Sequence, residues 1–136
     1  MGARHWLVKQ EPESYPWEAF ARDGRTAWEG VRNYQARNNL KGMSPGDPVL
    51  FYSSGDTKSV VGIAAVARAA YPDPTADEPG WVAVELEAVR GLGRPVTLAQ
   101  IRAEPALAKI LLVRNSRLSV IPLERAEFER IVRMGA

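Results

Sequence analysis

The chain has 136 residues, 46% hydrophobic and 25% charged, which fits one folded domain with a core that needs no covalent staples. It has no cysteine and a single histidine, His5, which excludes disulfides, thiolate metal sites and cysteine catalysis and leaves a histidine metal cluster or Ser-His triad without its parts. A net charge of +2 does not by itself argue for a polyanionic partner, and no apolar run is long enough for a leader or membrane span, so the expectation is an intracellular, cytoplasmic protein.

"HWLVK" (His5 to Lys9) reads as a short strand, stopped by Glu11-Pro12. "SYPWEAFARDG" reads as a short helix capped by Ser14, with Pro16 in its first turn and Gly24 as its stop. The next stretch, "WEGVRNYQARNNLKGM", is unusually polar for a helix. Asn33 is an N-cap candidate, with Ala36, Leu40 and Met43 at helical spacing behind it. "SPGD" (Ser44 to Asp47) has the Pro-Gly centre of a type II turn.

"PVLFYSS" and "SVVGIAAVARAAY" are β-branched runs joined by "GDTK", hence two paired strands. Gly62 in the second marks a bulge or a close backbone approach. "YPDPTADEPG" is a loop, and "WVAVELEAV" alternates as a strand with Trp81 or its neighbours facing the core. "VTLAQIRAEPALAKILLV" holds two short helices broken at Pro105, the first capped by Thr97. "SRLSVIP" is a last strand ended by Pro122. "LERAEFERIVRM" is an amphipathic helix with Leu123, Phe128, Ile131 and Val132 on one face. Runs of strands without strict βαβ alternation predict an α+β fold, closed as a small barrel under helices. One amphipathic helix, accounted for by packing on that barrel, predicts a monomer.

"WLVKQEPESYPW", "WEGVRNYQARNNLKGM", "GDPVLFYSS", "VVGIAAVARAAYPDPTA" and "RLSVIPL" follow one another in that order. Together they resemble the EVE domain family over nearly the whole chain, least between Glu85 and Arg114. The resemblance implies one domain over 1–136. It implies a PUA-like β pseudo-barrel of about five to six strands surrounded by short helices, related to YTH readers of methylated adenine. It implies binding of a modified base, above all 5-substituted cytosines such as 5-methylcytosine and 5-hydroxymethylcytosine in DNA, or a base in RNA. The base would be flipped into an aromatic-lined pocket, with no catalysis, metal or cofactor. The partner is then nucleic acid, with no membrane, and the setting the nucleoid if the host is a bacterium. A separately encoded nuclease or modification enzyme is a further expected partner. Gln10 and Ser53 stand where many members have serine and histidine, which bears on ligand choice.

The candidate contact residues carry two readings each. Trp28, just before Gly30, is a stacking wall for the base or a core tryptophan. Asn33 reads a base edge, caps its helix, or does both. Lys9, Arg32 and Arg37 are phosphate contacts or solvated charge. Tyr52 and Ser53 end one strand. Tyr71, Pro72 and Asp73 end the next, Tyr71 as a second aromatic wall or a hydrophobic plug. Asp73 accepts from an exocyclic amine or shapes a turn. Arg117 and Ser119, two apart on the expected last strand, close the pocket or face solvent. Val31 and Leu118 are apolar walls for the 5-substituent, and Ser14 is counted with the contacts. The alternative is a small hydrolase of modified nucleosides of the ASCH type, drawing on Lys9, Glu11 and Ser14. It rests on barrel analogy alone.

Overall fold

The structure, a computed structural model, describes residues 4–136. Its elements are β1 (His5–Gln10), α1 (Trp17–Asp23), β2 (Arg25–Trp28), α2 (Tyr34–Lys41), β3 (Pro48–Ser53), β4 (Ser59–Pro72) and β5 (Val82–Thr97). They continue as α3 (Leu98–Ala103), a 3-10 turn (Pro105–Leu107), α4 (Leu111–Arg114), β6 (Val120–Leu123) and α5 (Arg125–Met134). This is the expected α+β fold. The six strands form one mixed sheet in the order β2-β5-β4-β3-β1-β6.

Only β1 and β3 pair in parallel, Trp6 beside Val49 through Gln10 beside Ser53; the other pairs are antiparallel. A parallel pair needs a long crossover, and here it carries α1, β2 and α2. Trp6, Leu7 and Val8 of β1 and Val49 through Ser53 of β3 are buried, as strands covered on both faces must be. The strand ladder leaves β2 and β6 at its ends, and α2 packs on β6, β5 and β4. Asn39 ties that helix to β6 by donating its Nδ2 to the Val120 carbonyl at 2.7 Å. The helix thereby covers the β6 edge, which would otherwise offer unpaired backbone groups.

An aromatic cluster fills one end of the core. Phe51 meets Trp17, Phe20 and Trp28 with ring centroids 5.4, 5.7 and 5.9 Å away. Gly62 allows this: a methyl group there would lie 2.5 Å from the Trp17 indole, and the register with β3 and β5 shifts beside it. The buried indole N–H of Trp6 donates to Asp47 at 3.0 Å, so the turn before β3 is fixed to β1. Within that turn Gly46 takes φ 92°, as a type II turn requires.

Several expectations are corrected. The first helix begins at Trp17 behind Pro16, not behind Ser14; Ser14 lies in a turn, its N–H donating to the Glu11 carbonyl. Arg25–Trp28, which the sequence reading assigns to no element, is a strand by its pairing with Val84 through Glu87 of β5. β5 runs past Val89 to Thr97, carrying Pro95 through an irregular stretch of the ladder. The last strand starts only at Val120. Before it, Asn115 accepts the N–H groups of Arg117 and Leu118, so "SRLS" is a turn rather than a strand.

Candidate functional site

Parallel pairing sends β1 and β3 out of the sheet side by side, Lys9 next to Tyr52 and Gln10 next to Ser53. Beyond these ends lies a cleft of about 610 Å³. Lys9, Gln10 and Glu11 line one side, Ser54, Gly55 and Lys58 another, and the buried Tyr52 supplies an aromatic ring. Leu98 and Arg102 of α3, Leu112 of α4, and Ser116 with Ser119 from the following turn complete it. The volume falls in the range of small-ligand sites, and the lining mixes two leucines and one aromatic ring with hydroxyls and charges.

Lys9 is the best-placed functional group. It is half-buried, and burial lowers its pKa from the ordinary lysine value. Its Nζ donates to the Ser116 carbonyl at 3.0 Å and lies 5.9 Å from the Tyr52 ring centre. No second protein acceptor for this ammonium is present among the described residues, so donors remain for a guest. The Lys9 N–H donates to the Ser119 carbonyl at 2.9 Å, which holds the turn against β1.

A second polar group surrounds Asp73. Its buried carboxylate accepts from the Gly30 N–H at 2.8 Å and from Arg32 at 3.0 Å through Oδ2. Through Oδ1 it accepts from the Thr75 N–H at 2.7 Å and the Thr75 hydroxyl at 2.6 Å. Burial alone would raise its pKa, but the bonds from Thr75, Gly30 and Arg32 outweigh it and hold the carboxyl well below the usual range. Gly30 is required here by its φ of 81°, and not by close packing. Next to this clamp Trp81 stacks on the exposed Tyr34 at 5.1 Å, with the guanidinium groups of Arg32 and Arg37 each 5.6 Å from the Trp81 ring centre.

Of the residues singled out in the sequence, the cleft collects Lys9, Glu11, Tyr52 and Ser119, with Gln10 beside them. It leaves the others elsewhere. Trp28, expected at a pocket mouth, is 5% exposed and packed against Phe20 and Phe51. Leu118 is fully buried and Val31 packs on the core, so neither offers an open wall. Asp73 has no free acceptor site for an amine, because its four bonds occupy both oxygens. Asn33 caps α2, accepting from the Ala36 N–H at 2.9 Å. Arg32 is paired with Asp73, and Arg37 lies over Tyr34 and Trp81. Tyr71 sits under the Arg68 guanidinium, 4.0 Å away, and Pro72 is exposed at the strand end. Ser53 is buried beside Ser59; Ser14 and Arg117 are exposed in turns.

Lys58, Arg102, Leu112 and Ser116 were not anticipated, since nothing local distinguishes them from surface or core residues of two short helices and a hairpin. Nor was Trp81 anticipated outside the core. No group of three or more His, Cys, Asp or Glu residues is placed to hold a metal among the described residues, and no helix is long and apolar enough to cross a membrane.

The model for the EVE domain matches residues 4–134. Human thymocyte nuclear protein 1 is 32% identical over an alignment of 162 positions, gaps included, covering 94% of this chain and 72% of that protein. The crystal structure of protein Atu2648 from Agrobacterium tumefaciens is 42% identical with a TM-score of 0.96, covering 98% of this chain and 94% of that one. The structure of human THYN1 protein in complex with 5-methylcytosine containing DNA is 31% identical, with a TM-score of 0.89 and 98% of each chain covered. A ZmASCH protein from Zymomonas mobilis shares the fold alone, at 13% identity and a TM-score of 0.61.

Proposed function

The chain belongs to the EVE domain family, and from that premise we propose that it is a non-catalytic reader of a modified base, foremost a 5-substituted cytosine in DNA. The observation that carries this is the match along 98% of the chain to human THYN1, whose structure contains 5-methylcytosine DNA. The cleft supplies the means. A base inside a duplex can enter it only by flipping, which costs a few kcal/mol of unstacking. Lys9 offsets part of that cost, because a charge-assisted hydrogen bond from its half-buried Nζ to a ring carbonyl or ring nitrogen contributes about 1.5–3 kcal/mol. Tyr52 and Leu112, both buried, form the floor, and the hydroxyls of Ser116 and Ser119 offer donors and acceptors to the remaining edge, with Ser54 an acceptor because its proton goes to the Gln10 carbonyl. A 5-methyl group buried against that floor adds about 0.8 kcal/mol, and a polar 5-substituent met by a serine adds more. A reader of this kind works where the nucleic acid is, in the cytoplasm or at the nucleoid of a bacterial host.

Lys9 and Glu11 in one cleft favour a second reading, a small hydrolase acting on modified nucleosides. Release of free base or deaminated product from a modified nucleoside would establish it; turnover in which wild type and Lys9→Gln do not differ would remove it.

Ser116 lines the cleft from an exposed position, so Ser116→Tyr fills the entrance while sparing the core. Titrated with matched modified and unmodified duplexes, this variant loses the preference and keeps the weak binding common to both. A folded variant that discriminates like wild type would place the base outside the cleft.

A further inference from the structure

We propose that the cleft continues into a track for the sugar-phosphate backbone of the bound strand, with Lys58 and Arg102 as its phosphate contacts; this rests on the reader function above. A shallower groove of about 260 Å³ adjoins the cleft, and Lys58, Leu98 and Arg102 line both hollows. Thr57, Thr97 and Ala99 complete the groove. The base cleft and the groove therefore meet at Lys58, Leu98 and Arg102, so both cations stand where one hollow borders the other. Leu98 and Arg102 are four residues apart on α3 and share its face.

The backbone beneath Lys58 is fixed, and with it the start of the helix that carries Arg102. Lys58 closes the β3–β4 hairpin at φ 43°, a left-handed conformation that residues other than glycine, asparagine and aspartate rarely adopt. Its carbonyl accepts the Leu98 N–H at 2.8 Å, which fixes the hairpin tip against the start of α3. Among the described residues neither Lys58 nor Arg102 has an ion-pair partner: each salt bridge present joins other residues. Glu11 is the one carboxylate that lines either hollow, against Lys9, Lys58 and Arg102. Three cations to one anion at a pocket whose guest hangs from a phosphodiester chain is the balance that a polyanionic strand requires.

The test uses the whole chain with Lys58→Asn and Arg102→Gln, singly and together. Asparagine tolerates the positive φ, so the hairpin keeps its shape while the charge is lost. Affinity is measured for two DNA duplexes that differ by one 5-methylcytosine, at several salt concentrations. The expected result is weaker binding to both duplexes by the same factor. The log–log salt slope should flatten by about 0.9 per variant, as for one phosphate contact each. If wild type discriminates but the variants bind with wild-type affinity and slope, the track is overturned and the reader function stands. If wild type binds both duplexes alike and the variants weaken both, the track stands and the reader function fails. Variants that change the modified-to-unmodified ratio at unchanged slope would make these residues base contacts, which also overturns the track. Wild type that binds neither duplex overturns both.

Discussion

Replacing Trp28 with alanine separates a core tryptophan from a stacking platform. The indole is 5% exposed at the end of β2, with Phe20 and Phe51 centred 6.2 and 5.9 Å away. Truncation removes most of a large apolar side chain and opens a cavity that neighbouring rings cannot fill, because Phe51 is itself wedged against Trp17 and Phe20. Trp-to-Ala changes in such cores cost about 3–5 kcal/mol. For a domain of this size each kcal/mol lowers Tm by about 3–5 °C, so the expected fall is about 10–25 °C. Trp28→Phe keeps most of the volume and should restore more than half of it. Calorimetry gives the stability, and near-UV circular dichroism reports the aromatic cluster directly. Titrations with modified and unmodified duplexes, run well below both transitions, should leave the ratio of affinities unchanged. A Trp28→Ala protein that melts within a few degrees of wild type yet loses that ratio would refute this reasoning and return Trp28 to the pocket.

Asp73→Asn should make stability less dependent on acid. The native carboxyl titrates below its unfolded value of about 3.9, so its contribution is full above about pH 5 and is lost as pH falls through the depressed native value. The gap in melting temperature between wild type and variant should therefore be constant near neutrality and close in acid; a gap that widens in acid would contradict the clamp. Asn33→Asp keeps the acceptor that caps α2 and removes the amide donors, so both stability and discrimination should stay near wild type, whereas Asn33→Ala should cost about 1 kcal/mol in a denaturant melt. A fall in discrimination for the folded Asn33→Asp protein would make Asn33 a base reader. Light scattering should give the 15.0 kDa monomer at micromolar concentration, since Tyr34 and Val89 are the large hydrophobic residues left exposed among those described, and a stable dimer would contradict this.

What could be read from the sequence was what local chemistry decides. Thr97 and Asn33 announce helix starts because a side-chain oxygen accepts an orphan N–H a few residues on, and both do so. Gly62 announces a close approach because only a missing Cβ leaves room for Trp17. β2 was illegible because its four residues lack a strand pattern and become one by pairing with β5. The far half of β5 was hidden by Gly91, Gly93 and Pro95, which resemble a loop until irregular pairing with β4 absorbs them. The cleft was partly legible. Lys9 and Tyr52 sit at the ends of readable strands, but that these strands run in parallel, and so open side by side, depends on a crossover that no local motif specifies. Lys58 joins them from the hairpin after β3, and Arg102 and Ser116 from two distant segments. Trp28 misled for the same reason: a polar neighbourhood in sequence says little about which side of a strand its indole faces.

The central claim, that the chain reads a modified base, is tested most directly by equilibrium binding of the wild-type chain to two duplexes identical except for one 5-methylcytosine. Burial of the methyl group alone corresponds to about a fourfold preference, about 0.8 kcal/mol, for the methylated duplex. The account predicts a preference of at least that size, maintained as salt is raised while both affinities fall, because base contacts discriminate and phosphate contacts do not. Equal affinities at every salt concentration, with no 5-hydroxymethyl counterpart bound more tightly either, would contradict it.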